Sequence, residues 1–310
     1  MILAGADGLV SYNIEDGNEV SRVPDIDFDG AAVSYFGFGP LAAGLVAALE
    51  SETGDFAFYG IENTSRLFVP LEGGPEIRGN VRDFCMGRAH DNDAPTLFVV
   101  QKEVLQIFNL TLAQGGRGVS IESQTRIETP DNMIACAVHH DGSVVLAAQS
   151  GAVYRLAGEN SFASPFATLA GAPIVDLGVL TGLNEEGGHE SRFAALSGDT
   201  GAIAFIDGRD GHMLGTVRFG ETFDYAAVQS ASVMGLSGAN LGAIYRNGAA
   251  ALGASESADS DAFAVSLAPV SGVSSALTLP SLAPFNPRGV APASIADDGL
   301  IIEPTLPKQN

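Results

Sequence analysis

The chain has 310 residues, of which 46% are hydrophobic and 17% charged, and 38 of them are glycines. This composition is too apolar for a disordered chain and fits a folded domain that is rich in turns. The formal net charge of -22 would repel a phosphate backbone, so we expect no nucleic-acid partner. No apolar run reaches the roughly 18 residues of a membrane-spanning helix, so we expect no membrane span.

One pattern recurs six times along the chain: an apolar strand, a short polar turn, and an alternating strand that carries an aromatic residue. The second strands begin near residues 8, 54, 103, 151, 201 and 262. A period of this length with Gly or Asp at the turns is typical of a β-propeller, whereas a β-sandwich does not need evenly spaced hairpins. The sequence therefore predicts an all-β, six-bladed β-propeller. The hairpins are ILAGADGLVSYNI from Ile2, LVAALESETGDFAFYGI from Leu45, TLFVVQKEVLQIFNL from Thr96, SVVLAAQSGAVYRL from Ser143, RFAALSGDTGAIAFI from Arg192, and LGAIYRNG with DAFAVSLAPV from Leu241.

Five of these hairpins are preceded by one more apolar stretch, which we interpret as the inner strand of a blade. The first hairpin has none. Closing a ring of blades requires its edges to be paired, so we expect GLIIEPTL, residues 299–306, to pair with the first blade. The alternative is a disordered tail after about residue 280. The predicted boundaries are a propeller over 1–275, a Pro-rich linker over 276–298, and a closing strand and tail over 299–310. The predicted inner strands are AAVSYFGFG, VRDFCMGRA, MIACAVHHD, PIVDLGVLTG and YAAVQSASV.

Several hairpins, taken in order, resemble those of the β-propeller phytases. The resemblance extends over most of residues 1–275 and is carried by ILAGADGLVSYNIEDGNEVSRV, by LFVVQKEVLQIFNL with its lysine, and by MIACAVHHDGSVVLAAQSGAVYRLAG with its cysteine. It implies a six-bladed propeller exported from a bacterium, secreted or periplasmic, that hydrolyses phosphate monoesters of phytate. In that family, calcium ions held by carboxylates activate the attacking water.

Five positions carry the chemistry that the resemblance implies. Lys102, one of two lysines in the chain, falls on a phosphate-binding lysine of the family and is followed by Glu103. Asp224 matches a calcium-binding aspartate of the sixth blade, and Asp141 is the one acidic residue that could replace the family's cluster after Cys136. The resemblance thus implies Lys102 and Asp224 as catalytic residues. The implied calcium ligands are Asp141, Asp176, Asp224 and Glu103.

Other family positions have changed in ways that weaken the implied site. Asp176 is displaced by one residue, which turns a strand side chain to the opposite face. The family's next glutamate is Ala148 or Gln149, its arginine of the second blade is Phe36, and the lysine of the first hairpin is missing. The alternative function is a non-catalytic propeller that binds an anionic ligand or docks a catalytic phytase domain, as accessory domains of this family do.

Two other clusters could hold a metal ion. His139 and His140 stand beside Asp141 at the end of a predicted inner strand, and because they are adjacent, at most one of them can face the channel. The alternative is a polar strand end that leads into the Asp141–Gly142 turn. Asp25, Asp27 and Asp29 alternate and could share one face. They lack the later glutamate of an EF-hand, so a solvated loop is the alternative.

The sequence shows no recognisable arrangement of a nucleophile with its base. There is no GxSxG elbow, and neither Cys85 nor Cys136 has a recognisable His partner. Both cysteines occupy similar places on neighbouring inner strands, where we expect the backbones to be too far apart to bridge. We therefore predict two buried thiols. The amino terminus lacks the basic region of a signal peptide, so either export signals were removed or the chain starts inside the fold.

Overall fold

The structure is a computed structural model that is all-β throughout the residues it describes. No helix in these residues is long and apolar enough to cross a membrane. The described residues are 1–34, 42–88, 94–113, 116–139, 141–156, 162, 164–169, 173–183, 189–219, 230–237, 249–254, 261–266, 295–297 and 300–301.

The strands form antiparallel meanders in which each strand pairs with the next one along the chain. The first three meanders are β1 (Ile2–Gly5), β2 (Gly8–Tyr12) and β3 (Glu19–Val23); β4 (Phe28–Ser34), β5 (Ala42–Glu50), β6 (Phe56–Glu62) and β7 (Phe68–Gly73); and β8 (Asp83–Arg88), β9 (Pro95–Gln101), β10 (Val104–Leu112) and β11 (Gly118–Glu128). The later ones are β12 (Met133–Val138), β13 (Val144–Ala148), β14 (Ala152–Leu156) and β15 (Ala167–Thr168); β16 (Ile174–Leu183), β17 (His189–Ser197), β18 (Ile203–Asp207) and β19 (Met213–Phe219); and β20 (Val233–Ser237), β21 (Ala249–Ala254) and β22 (Asp261–Ser266).

The second and third meanders are joined into one eight-stranded sheet by a short parallel contact between β7 and β11. That contact pairs Gly118 with Glu72 and Val119 with Gly73. Two further strands, β23 (Ile295–Asp297) and β24 (Leu300–Ile301), extend the fifth meander, because β23 pairs with β19. Leu300 and Ile301 are the described residues of the segment 299–306, which we expect to pair with the first blade. They pair with β23, and residues 299 and 302–306 lie outside the described residues.

The first five predicted hairpins are confirmed, because alternating apolar residues and short glycine turns favour antiparallel pairs. In the sixth hairpin the first strand is β21, and residues 241–248 lie outside the described residues. Gly8 shows why one of these turns needs glycine. Its φ is +108°, and a Cβ there would lie 2.0 Å from the Val23 carbonyl oxygen.

We call the strand that precedes each hairpin an inner strand. These strands are β4, β8, β12, β16 and β20. The first four lie where the sequence predicts them. The fifth, β20, begins at Val233, where the predicted strand ends, and residues 225–229 lie outside the described residues. Within the described part of the chain, the first meander consists of β1, β2 and β3 without an inner strand.

The chain divides into two compact units. The first comprises Met1–Asn13, Asn18–Leu146 and Arg155–Ser164, and the second comprises Ile14–Gly17, Ala147–Tyr154 and Pro165–Asn310. The first unit buries large side chains such as Phe58 and Phe108, and the second buries Phe205. Each such side chain contributes about 1.5 to 3 kcal/mol on burial.

Neighbouring inner strands approach each other closely at glycines. A Cβ on Gly87 of β8 would lie 2.2 Å from Val138 of β12, and one on Gly178 of β16 would lie 2.4 Å from Leu236 of β20. A larger residue would collide with the neighbouring strand, so glycine sets the spacing at these two places. The same close approach places the carboxylates described next.

Candidate functional site

Lys102 and Glu103 form the two-residue turn between β9 and β10, in which Gln101 pairs with Val104. The Lys102 Nζ lies 3.8 Å from the Glu103 Oε1, and the two side chains are 67% and 73% exposed. A pair this open to water contributes little stability. The turn lies at the end of its sheet where β8 begins, because Val100 pairs with Asp83.

Asp141 lies in the turn between β12 and β13, where donors from its own sheet surround its carboxylate. Its Oδ1 accepts hydrogen bonds from the Ser143 amide at 2.9 Å and the Ser143 hydroxyl at 2.6 Å. Its Oδ2 accepts one from the Arg155 guanidinium at 2.6 Å. The His139 Nδ1 is 2.7 Å from the Oδ1. This carboxylate organises the turn and ties it to β14.

The electrostatics of this cluster favour an ionised Asp141 and a neutral His139. Desolvation acts to raise the pKa of Asp141, but the Ser143 hydroxyl and amide and the neighbouring His139 together hold it well below its usual range. Burial lowers the pKa of His139, and the hydrogen bond to Asp141 opposes this only in part. Ser143 donates to Asp141 and not to a histidine, so the cluster lacks the arrangement of an activated nucleophile.

The structure does not bring Lys102 and Asp141 together. The inner strands β8 and β12 run side by side in the same direction, since Cys85 contacts Cys136 and Gly87 faces Val138. The Lys102 turn lies at the start of β8, whereas the Asp141 turn follows the end of β12. These two predicted site residues therefore occupy opposite ends of neighbouring meanders.

Asp176 bridges two neighbouring inner strands in the second unit. Its Oδ1 accepts the Leu177 amide at 2.6 Å, and its Oδ2 accepts the Met234 amide of β20 at 2.5 Å. Desolvation raises the pKa of Asp176 to about 7, although both amide hydrogen bonds act to lower it. Each oxygen already has a protein donor, so the carboxylate acts as a link between strands.

Cys85 and Cys136 form a disulfide with a Cα–Cα distance of 5.9 Å, so the prediction of two buried thiols is wrong. The strands come within bridging distance because Gly87 lets β12 approach β8. A second link lies beside the disulfide, where the Cys136 amide donates to the Asp83 Oδ2 at 2.6 Å. The disulfide joins β8 to β12 much as Asp176 joins β16 to β20.

The other predicted candidates do not converge on a shared site. Asp224 and His140 lie outside the described residues. Asp25 and Asp27 lie in the exposed loop before β4, and Asp29 lies at a bulge of that strand, where it accepts a hydrogen bond from Ser51 at 2.8 Å. The three do not form a cluster with metal-ligand spacing in the part of the chain that the structure describes.

One cluster that the sequence analysis missed lies in the turn between β18 and β19. Ligand atoms of Asp207, Asp210 and His212 lie within 4.8 Å of one another. Arg209 donates to both carboxylate oxygens of Asp207, and Asp210 accepts from the His212 amide at 3.1 Å. The signal was the DGRDGH turn sequence. These contacts account for the cluster as a stabilised turn, and Arg209 lowers the pKa of Asp207.

The described residues define an all-β protein of consecutive antiparallel meanders in which carboxylates and one disulfide link neighbouring inner strands. The chain matches no known protein family and no curated protein. It is similar to the solved structure of a protein of unknown function from Bacteroides caccae, with 10% identity, a TM-score of 0.56, and 96% of this chain and 97% of that chain covered. This likeness shows a shared fold alone.

A second similar structure is Hsv2 of Kluyveromyces marxianus, with 13% identity and a TM-score of 0.44. The alignment covers 87% of this chain and 74% of that one. A similarity at this level supports no inference about the function of the chain.

Proposed function

We propose that the chain is a six-bladed β-propeller that acts as a non-catalytic module and docks a second protein domain. The six successive meanders support the architecture, since each would form one blade and each hairpin recurs at the propeller period. The first blade would then contain three strands and the next four blades four strands each.

The disulfide supports an exported protein. Disulfides persist in oxidising compartments and are rare in the cytosol of most organisms. A bridge between Cys85 and Cys136 therefore fits a secreted or periplasmic setting. This is the setting that the phytase resemblance also implies.

The observation that carries the non-catalytic proposal is that protein donors already bind two of the four predicted calcium ligands. Asp141 accepts hydrogen bonds from Ser143 and Arg155, and Asp176 accepts two backbone amides. Calcium needs six to eight oxygen ligands, so carboxylates held by protein donors are poorly placed to supply them. The net charge of -22 also repels a polyanion such as phytate, which favours a protein partner over an anionic one.

Phosphate release from calcium phytate tests this proposal. We expect the purified, folded chain to release no phosphate above the buffer control across a calcium titration. A β-propeller phytase assayed in parallel shows that the assay works, and Lys102→Ala is the matched variant. Calcium-dependent release by the wild-type chain that disappears in Lys102→Ala would overturn the proposal and establish phytase activity.

A further inference from the structure

Strand β1 has an open edge in the described part of the chain. In the other meanders, the first hairpin strand lies between an inner strand and the second hairpin strand, as β5 does between β4 and β6. By contrast, β2 is the one strand among the described residues with which β1 pairs. Within the described ranges, one side of this strand therefore lacks the neighbour that its five counterparts have.

The hydrogen-bond pattern shows which backbone groups face that edge. Met1 and Tyr12 exchange N–H···O bonds in both directions, each 2.8 Å long. Along an antiparallel ladder, hydrogen-bonded pairs alternate with pairs that are not hydrogen-bonded, so Leu3 and Gly5 also bond to β2. The N–H and C=O groups of Ile2 and Ala4 then point away from β2, toward the open edge.

Exposure separates β1 from its counterparts. Every residue of β1 is partly exposed, whereas every residue of β13 is buried. The Ser11 hydroxyl, on β2 directly across from Ile2, is buried and forms no hydrogen bond within the described residues. An edge of apolar residues whose backbone groups have no partner among the described residues is a template for another strand.

We propose that β1 accepts a β-strand from a partner protein, which completes the first meander. This inference rests on the proposed docking function and names its site. The added strand runs antiparallel to β1, as β4, β8, β16 and β20 do to their hairpins. The chain's own described C-terminal strands do not fill this edge, because β23 pairs with β19.

The chemistry of the partner segment follows from the inner strands and from the net charge. Inner strands carry small residues where they meet their neighbours, such as Gly87 and Gly178. The net charge of -22 favours a segment that is flanked by basic residues. The partner is therefore a short extended segment of small and apolar residues between lysines or arginines, bound by strand addition.

The probe is a peptide with the sequence of β4, FDGAAVS, and two lysines at each end. We expect saturable binding to the full chain by fluorescence anisotropy. A peptide with N-methyl groups on alternate residues, which removes ladder donors, should bind about tenfold more weakly. Ala4→Pro should weaken binding by a similar factor, since it removes an outward N–H without breaking the ladder to β2. The N-methyl peptide remains informative if Ala4→Pro fails to fold.

Amide hydrogen exchange gives an independent readout. In the chain alone, the Ile2 and Ala4 amides should exchange faster than those of Leu3 and Gly5, and the peptide should slow them. Equal protection without peptide would mean that the edge is already paired and would overturn the proposal. The absence of binding at about 1 mM peptide would also overturn the proposal. A dimer of the chain that Ala4→Pro abolishes would overturn it as well, because a second copy would then occupy the edge. Phosphate release in the phytate assay would overturn the proposed non-catalytic docking function itself, which is a different result from a failure of strand addition at β1.

Discussion

Reduction of the Cys85–Cys136 disulfide is expected to lower the free energy of unfolding by about 4 kcal/mol. The bridge closes a loop with a sequence separation of 51 residues, and opening it restores conformational freedom to the unfolded chain. It also joins two inner strands that are not paired with each other in the sheets. The measurement is urea unfolding with and without a thiol reductant.

The double variant Cys85→Ala, Cys136→Ala is the control for reduction. It should be as unstable as the reduced wild-type chain and insensitive to reductant. The hydrogen bond from the residue 136 amide to Asp83 involves the backbone, so the substitution leaves it available. Identical unfolding midpoints for the oxidised and reduced wild-type chains would contradict a stabilising role for the bridge.

Removal of the Asp141 carboxylate is expected to cost about 2 kcal/mol of stability. Asp141→Ala removes the 2.6 Å carboxylate partner of the Arg155 guanidinium, whose side chain is 22% exposed. It also removes the acceptor for both Ser143 donors. The cost lies between that of a buried and a surface pair, because Asp141 is 36% exposed.

A double-mutant cycle with Arg155→Ala isolates the pair, and Asp29→Ala, at an exposed aspartate bonded to Ser51, is the matched control. The pKa of Asp141 is lowered in the folded state, so its contribution is present at neutral pH and is lost as the pH falls. Wild type and Asp141→Ala should therefore converge in stability in acid. A coupling energy indistinguishable from zero would show that the ion pair is not part of the stabilising network.

Local signals in the sequence were enough to place the hairpins. The turn at Lys102 joins two alternating apolar runs, and the structure forms it between Gln101 and Val104. Gly8 marks the first turn in the same way, because its φ of +108° favours glycine. These features depend on residues that are close together in the chain, so their pattern can be read without the fold.

The links between meanders could not be predicted in the same way. The disulfide depends on the distance between two strands that are 51 residues apart, and Gly87 sets that distance. Asp176 finds its partner, the Met234 amide, 58 residues further along the chain. The resemblance to the β-propeller phytases, matched residue by residue, indicated Asp141 and Asp176 as carboxylates that could bind calcium. Their protein donors became apparent only from the packing of neighbouring strands.

We propose that Asp141 and Asp176 stabilise the fold and do not hold calcium. Thermal unfolding with and without calcium tests this most directly, for wild type, Asp141→Asn and Asp176→Asn at matched ionic strength. We predict that calcium leaves the wild-type melting temperature unchanged, and that each variant shifts it equally in either buffer. A calcium-induced rise of about 5 °C or more in wild type, absent from the variants, would contradict the claim.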